Sequence, residues 1–257
     1  MKFGLEIQVI NKVRLIKFCN TKKKNAISVD AYNEIADILN KDATDDNIIG
    51  TIFTGKDEYF TSGNDLSIKM DGDMDMEQIT LEFNRKFVKM ITALLKYPKL
   101  IVSVVNGPAI GIGFTLAGLS DIVYASNTAT FSAPFVKLGL CIEGCGSYLI
   151  PRILGKSKAT EVLLLGHKIT ADEAKAYNLV SKIVHKIDID ITIKNLIQEL
   201  SELPLEQLMY NKKLMTDNLI HNLLECAERE AKVLLECQTS EYFLTNMMNF
   251  MSRRSKL

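Results

Sequence analysis

Two short segments hold the residue types from which a reaction centre can be built out of main-chain groups. Residues 59–66 read Tyr-Phe-Thr-Ser-Gly-Asn-Asp-Leu, a turn of small residues. Residues 105–113 read Val-Asn-Gly-Pro-Ala-Ile-Gly-Ile-Gly, a strand running into a glycine-rich turn and an apolar helix. A strand-to-helix turn presents unpaired N–H groups at the positive end of a helix dipole. Two such turns brought together make an oxyanion hole, which stabilises the charge that develops in acyl-transfer and enolate chemistry. A phosphate-binding loop is the rival reading, but no Gly-Lys-Ser/Thr and no full Gly-x-Gly-x-x-Gly pattern follows. Eight of the 14 glycines and four of the five prolines fall within 98–155. That cluster is either a site made of main-chain groups or a set of tight turns between strands.

The elements that must position these turns follow from periodicity. Apolar runs at 5–10 and 13–18, joined at Asn11-Lys12, predict a hairpin. Ser28 is placed to cap a helix with Ala31, Ile35, Ile38 and Leu39 on one face. A strand is expected at 48–53, and a helix at about 77–95 with Phe83, Phe87, Met90, Ile91 and Leu94 at helical spacing. Residues 100–120 carry no charge, long enough to span a bilayer. Asn106-Gly107-Pro108 interrupts them, so they read as a buried strand, a turn and a buried helix, with no membrane span. Thr170-Ala-Asp-Glu173 is a capping box. A short strand is expected at 179–184, then helix almost throughout from Ile189, with a long segment at about 219–251. The expected class is α/β, with a core at 1–190 and a helical C-terminal region at 191–257.

Composition narrows the function. The 257 residues include 31 basic and 31 acidic side chains, net charge zero, which removes the basic footprint of a nucleic-acid partner. Cys19, Cys141, Cys145, Cys226 and Cys237 are odd in number and scattered, a poor disulfide framework that fits a reducing compartment. His167, His185 and His221 show no ligand spacing, and Cys141-x-x-x-Cys145 lacks partner ligands for zinc, so no metal is expected. Those two cysteines are read as packing beside the pocket.

At 62–66 and 106–111 the sequence resembles the crotonase superfamily, also called the enoyl-CoA hydratase/isomerase family. Lys24-Asn25-Ala26, Asp121-Ile-Val-Tyr-Ala125 and Ala129-Thr130-Phe131 continue the similarity, which runs from about Phe3 to Met251. The resemblance implies a spiral core of repeated ββα units and a helical C-terminal region that drives assembly into a homotrimer or a dimer of trimers. It implies an acyl-CoA thioester as substrate, with coenzyme A part of that substrate and no separate cofactor. Carried onto this chain, the oxyanion-hole donors are the N–H groups of Ser62 and Ile112. The substrate-binding set is Ser62, Gly63, Asn64, Asp65, Leu66, Lys24, Ala26 and Gly111. Most relatives have glycine where Ile112 stands; only its N–H is needed. Asp65 is expected to cap or brace its turn. Lys22-Lys23-Lys24 is either a solvated turn or a contact for the coenzyme A phosphates.

The family's hydratases use two glutamates, and the motifs align those positions with Thr115 and Phe135, neither of which is a carboxylate. Glu143, within Leu140-Cys-Ile-Glu-Gly-Cys-Gly146, stands where the similar Δ3,Δ2-isomerases place a single catalytic glutamate. The implied activity is the shift of a 3-cis or 3-trans enoyl-CoA double bond to the 2-trans position, as in oxidation of unsaturated fatty acids. One carboxylate in an apolar pocket takes a proton from C2 and returns it at C4 through a dienolate. The rivals are another crotonase-type enzyme (hydratase, dienoyl isomerase or thioesterase) and a non-catalytic acyl-CoA-binding module. Ser255-Lys256-Leu257 has the form of the address read by the peroxisomal import receptor, which makes the peroxisome matrix the expected location. A mitochondrial location would require a transit segment ahead of Met1.

Overall fold

A computed structural model of the chain describes residues 2–65, 76–243 and 245. Strands β1 (Leu5–Ile10) and β2 (Val13–Phe18) form the expected antiparallel hairpin, with Ile10 paired to Val13. Asn11 and Lys12 both take positive φ (45° and 65°), the two-residue turn whose twist suits flanking strands. Strands β3 (Gly50–Gly55), β4 (Leu100–Val105), β6 (Ile122–Ser126) and β9 (Lys182–Val184) then add in parallel, giving the order β1-β2-β3-β4-β6-β9. A smaller sheet joins β5 (Ala109–Ile110), β7 (Thr130–Ser132) and β8 (Ile169–Thr170).

Alternation along the strands sorts two apolar layers. Ile16, Phe18, Phe53, Ile101 and Val105 face helices α1 (Val29–Asp42) and α2 (Met76–Lys96). Val13, Leu15, Ile52, Val102 and Val104 face the opposite way, onto Ile193, Leu196, Ile197 and Leu200 of helix α7 (Ile189–Ser201). All six residues of β3 are buried, as a strand covered on both faces requires. Because α7 closes the second layer, residues just beyond 190 pack on the sheet itself.

Several boundaries differ from the sequence expectation. β3 starts two residues later than 48, and the Ile48 N–H is used in a turn back to the Asp45 carbonyl (2.9 Å). β9 is shorter than 179–184, since the N–H groups of Leu179 and Val180 both return to the Ala174 carbonyl at the end of α6 (Ala171–Ala176). The long helix α8 runs Leu205–Gln238, starting well before 219. Its first turns expose Tyr210, Leu214 and Met215, so no buried stripe marks them in the sequence. The Ser28 cap and the Thr170–Glu173 capping box form as expected, with Ala31 N–H donating to Ser28 Oγ at 3.2 Å. The uncharged run 100–120 becomes β4, a turn, β5 and helix α3 (Ile112–Leu119). No helix among the described residues is long and apolar enough to cross a membrane. The site lies at the C-terminal ends of β3 and β4, where adjacent parallel strands leave room for a ligand.

Candidate active site

The two turns are stitched to each other. The Pro108 carbonyl accepts from the N–H groups of Phe60 and Thr61 (3.2 Å each), and Ile110 N–H donates to the Thr61 carbonyl (3.0 Å). Asn106 locks the base of the pair: its Oδ1 accepts from Gly55 N–H (2.9 Å) and its Nδ2 donates to the carbonyls of Asp57 and Tyr59 (3.0 and 3.3 Å). Gly107 is required by contact, since a Cβ there would lie 1.9 Å from the Glu58 carbonyl oxygen. The turns meet at Gly63 and Gly111, where a Cβ on Gly111 would stand 4.0 Å from Gly63 Cα.

The hydrogen-bond inventory of the first turn corrects the expected donor. Ser62 N–H donates to the Lys24 carbonyl (2.9 Å) and Ser62 Oγ to the Lys23 carbonyl (3.0 Å), so that N–H is used in holding the lysine turn. Gly63 N–H donates to Thr61 Oγ1 (3.1 Å) and Asp65 N–H to the Ile27 carbonyl (2.9 Å). Asn64 N–H, between them, has no acceptor among the described residues, and the parallel bridge pairing Ile27 with Asn64 turns it away from that strand. On the second turn, Ile112 is the first residue of α3, and its N–H is one of the helix's orphan donors. Asn64 and Ile112 therefore each present a free main-chain donor among the described residues.

Glu143 completes the site. It is 1% exposed, in the loop before helix α4 (Gly146–Leu154), and Asn64 Nδ2 donates to its Oε1 and Oε2 at 3.1 and 3.3 Å. Tyr32 of α1, fully buried, donates its hydroxyl to Asn64 Oδ1. The loop is pressed onto the start of α3: a Cβ on Gly144 (φ +69°) would lie 2.6 Å from Thr115 Oγ1 and 3.1 Å from Ile112 Cδ1. Desolvation pushes the Glu143 carboxyl up to about 8; the Asn64 bond opposes the shift and the negative charge of Glu230 adds to it. A group that titrates near neutrality in an apolar pocket can both take and return a proton.

Glu230 fixes the loop from below. It projects from α8, is 6% exposed, and accepts from the N–H groups of Cys145 (2.7 Å) and Ser147 (2.9 Å) at the start of α4. Burial raises its pKa to about 7, against the pull of those bonds. Replacing Glu230 with alanine strands both donors, and should destabilise the fold by about 3 kcal/mol in urea unfolding. Equal stability would show that the cap contributes nothing. Cys145 does meet other donor atoms, contrary to the sequence spacing: Cys145 Sγ, Cys226 Sγ and a Glu230 oxygen lie within 4.8 Å of one another. The Cys145 thiol donates to the Leu223 carbonyl (3.4 Å) and the Cys226 thiol to Glu230 Oε1 (3.5 Å), so all three groups are engaged in packing α8 against the loop.

Of the other expected residues, Asp65 forms an ion pair with Lys23 (2.7 Å) and braces the turn. Lys22 and Lys24 are exposed at its edge, Lys24 Nζ lying 5.3 Å from the Tyr59 ring centre; Ala26 and Gly111 line the two turns. Thr115 and Phe135 are buried around the pocket as uncharged packing. The three histidines are exposed. Leu66 and Ser255, Lys256 and Leu257 lie outside the described residues. Sequence reasoning missed Tyr32 and Glu230. Each was signalled by a polar group in an apolar stripe: Tyr32 among Ala31, Ile35, Ala36 and Leu39, and Glu230 among Leu223, Cys226, Ala227 and Leu234.

Comparison with known proteins finds relatives along nearly the whole chain. Residues 8–256 match the family model described as enoyl-CoA hydratase/isomerase. The chain is 37% identical over 254 residues to enoyl-CoA delta isomerase 2 of Rattus norvegicus, covering 99% of this chain and 65% of that protein. It is 34% identical over 241 residues to enoyl-CoA delta isomerase 3, peroxisomal, of Mus musculus, covering 94% of this chain and 76% of that one. The chain thus spans just under two thirds of the rat relative's length. The crystal structure of an enoyl-CoA hydratase/isomerase from Pseudoalteromonas atlantica T6c is 27% identical, with a TM-score of 0.87 over 97% of each chain.

Proposed function

Because this chain belongs to the enoyl-CoA hydratase/isomerase family, we propose that it is a Δ3,Δ2-enoyl-CoA isomerase. The observation that carries the reading is the buried Glu143 carboxylate beside two free N–H groups, with no carboxylate at Thr115 or Phe135. The thioester carbonyl oxygen sits between the N–H groups of Asn64 and Ile112. Glu143 removes a proton from C2 of the 3-enoyl thioester, and the electron pair delocalises over C2, C3, C4 and the carbonyl as a dienolate. The two donors hold the negative oxygen as charge develops on it. Returning the same proton to C4 leaves the double bond between C2 and C3. Proton transfer of this kind needs no metal or redox cofactor.

Substrate contacts are proposed for Lys24, Ala26, Gly63, Asn64, Asp65 and Gly111 around the thioester and coenzyme A, with exposed Lys22 and Lys24 toward the phosphates. We also propose a homotrimer or a dimer of trimers, supported by the exposed Tyr210, Leu214 and Met215 on α8. A peroxisomal location is supported by Ser255-Lys256-Leu257 and by the name of the mouse relative.

The base must be ionised to act, so kcat/KM for 3-hexenoyl-CoA should rise about tenfold per pH unit below about 8 and level off above it. The measurement is the growth of conjugated-thioester absorbance between pH 6 and 10. A flat profile through that window would remove Glu143 from the role.

A further inference from the structure

We propose that Tyr32 is a positioning residue for the Glu143 base, acting through Asn64 as a hydrogen-bond chain whose polarity reverses each time the carboxyl gains or loses its proton. The inference rests on the isomerase reading for its meaning and on geometry for its content.

Tyr32 is clamped edge-on against Phe83 and Phe87, with ring centres 6.0 and 5.5 Å away and both interplanar angles 79°. These contacts hold the ring edge-on, and its hydroxyl reaches Asn64 Oδ1. The other end of the Asn64 amide holds both Glu143 oxygens. A phenol can donate or accept, and a primary amide offers an acceptor at one end and donors at the other. With Glu143 ionised, Tyr32 O–H donates to Asn64 Oδ1 and Asn64 Nδ2 donates to the carboxylate, the arrangement in the structure. With Glu143 protonated, a half-turn of the amide lets Glu143 O–H donate to Oδ1 while Nδ2 donates to Tyr32 Oη. Both ends of the Asn64 amide are then paired in either state of the base, in a site where an unpaired polar group is expensive. Burial, with Glu143 and Asp65 nearby, holds the phenol well above its ordinary pKa, so it keeps its proton throughout. An apolar residue at 32 would leave one end of the amide unpaired in each state.

Removing the hydroxyl weakens the ionised arrangement more, because a donor on Oδ1 polarises the amide toward the carboxylate. Tyr32→Phe should therefore move the acid limb of kcat upward by about one pH unit, lower kcat about tenfold at pH 7 and leave KM within about twofold. The other ionisable groups near the pair are Glu230 from α8, Cys141 on the Glu143 loop and Asp65, which is paired to Lys23. None is altered by the substitution.

The experiment compares the wild type, Tyr32→Phe, Asn64→Ala and the double variant. It measures kcat and KM for 3-hexenoyl-CoA across pH 6–10, and follows the Glu143 carboxyl in the substrate-free protein by infrared titration. The expected result is an upward shift in each single variant and no further shift when Tyr32→Phe is added to Asn64→Ala. Superimposable profiles for Tyr32→Phe and wild type, or shifts that add in the double variant, would overturn the proposal. Asn64→Ala leaves the aromatic clamp intact, so it decides the question if Tyr32→Phe fails to fold: a downward or absent shift overturns it. Were the wild type inactive on 3-hexenoyl-CoA, the isomerase reading would fall, and the infrared titration would still decide the role of Tyr32.

Discussion

Glu143→Gln is expected to lower turnover about a thousandfold and, at the same time, to make the protein more stable. The two effects share one cause. The pocket buries a carboxyl whose folded pKa is about 8, against an ordinary value of 4.5. Below about pH 4.5 the group is protonated in both states and affects neither. As pH rises from there toward 8, the unfolded chain releases the proton while the folded one keeps it, so folding loses stability through that window. At pH 7 the loss is about 3 kcal/mol. Glutamine has the same shape and nothing to ionise, which removes the penalty along with the base. Urea unfolding at pH 7 should show the variant more stable by roughly that amount, with the gap closing near pH 4.5. Acyl-CoA binding should stay near the wild-type level. A variant equal to wild type in stability at pH 7 would mean that the carboxyl is not held neutral.

Ile112→Pro should lower turnover by about a hundredfold or more through a different route. Proline at the first position of a helix keeps the helix, because the N–H it lacks is an orphan there anyway. At this helix the orphan is one of the two proposed oxyanion donors, so a single main-chain hydrogen is removed with α3 left in place. Ile112 is fully buried, and Ile112→Val is the control for lost packing. Stopped-time assays should find the valine variant close to wild type and the proline variant slow, with both melting cooperatively. A proline variant as active as the valine one would shift the oxyanion contact to other donors.

Local signals carried most of the fold. Asn11-Lys12, Ser28 and Thr170–Glu173 each depend on a few adjacent residues, and each formed as read. The turns at 59–66 and 105–113 were recognisable because strand, glycine and helix signals coincide in one short stretch. Which N–H stays free was not recognisable: Ser62 is occupied by the Lys24 carbonyl, a contact between segments far apart in the chain. Glu230 and Tyr32 were missed for the same reason. Their partners, the N–H groups of Cys145 and Ser147 and the Asn64 amide, come from distant elements that only the fold assembles. Helix was expected almost throughout from Ile189, but the point where α8 begins was not legible, because its first turns expose Tyr210, Leu214 and Met215 and carry no buried stripe.

Product analysis of the wild-type protein with 3-hexenoyl-CoA in deuterated water tests the central claim most directly. The account predicts 2-trans-hexenoyl-CoA, with hydrogen gained at C4 and lost from C2 and no oxygen added. A 3-hydroxyhexanoyl product formed without prior isomerisation, or a coenzyme A ester that stays bound and unchanged, would contradict it.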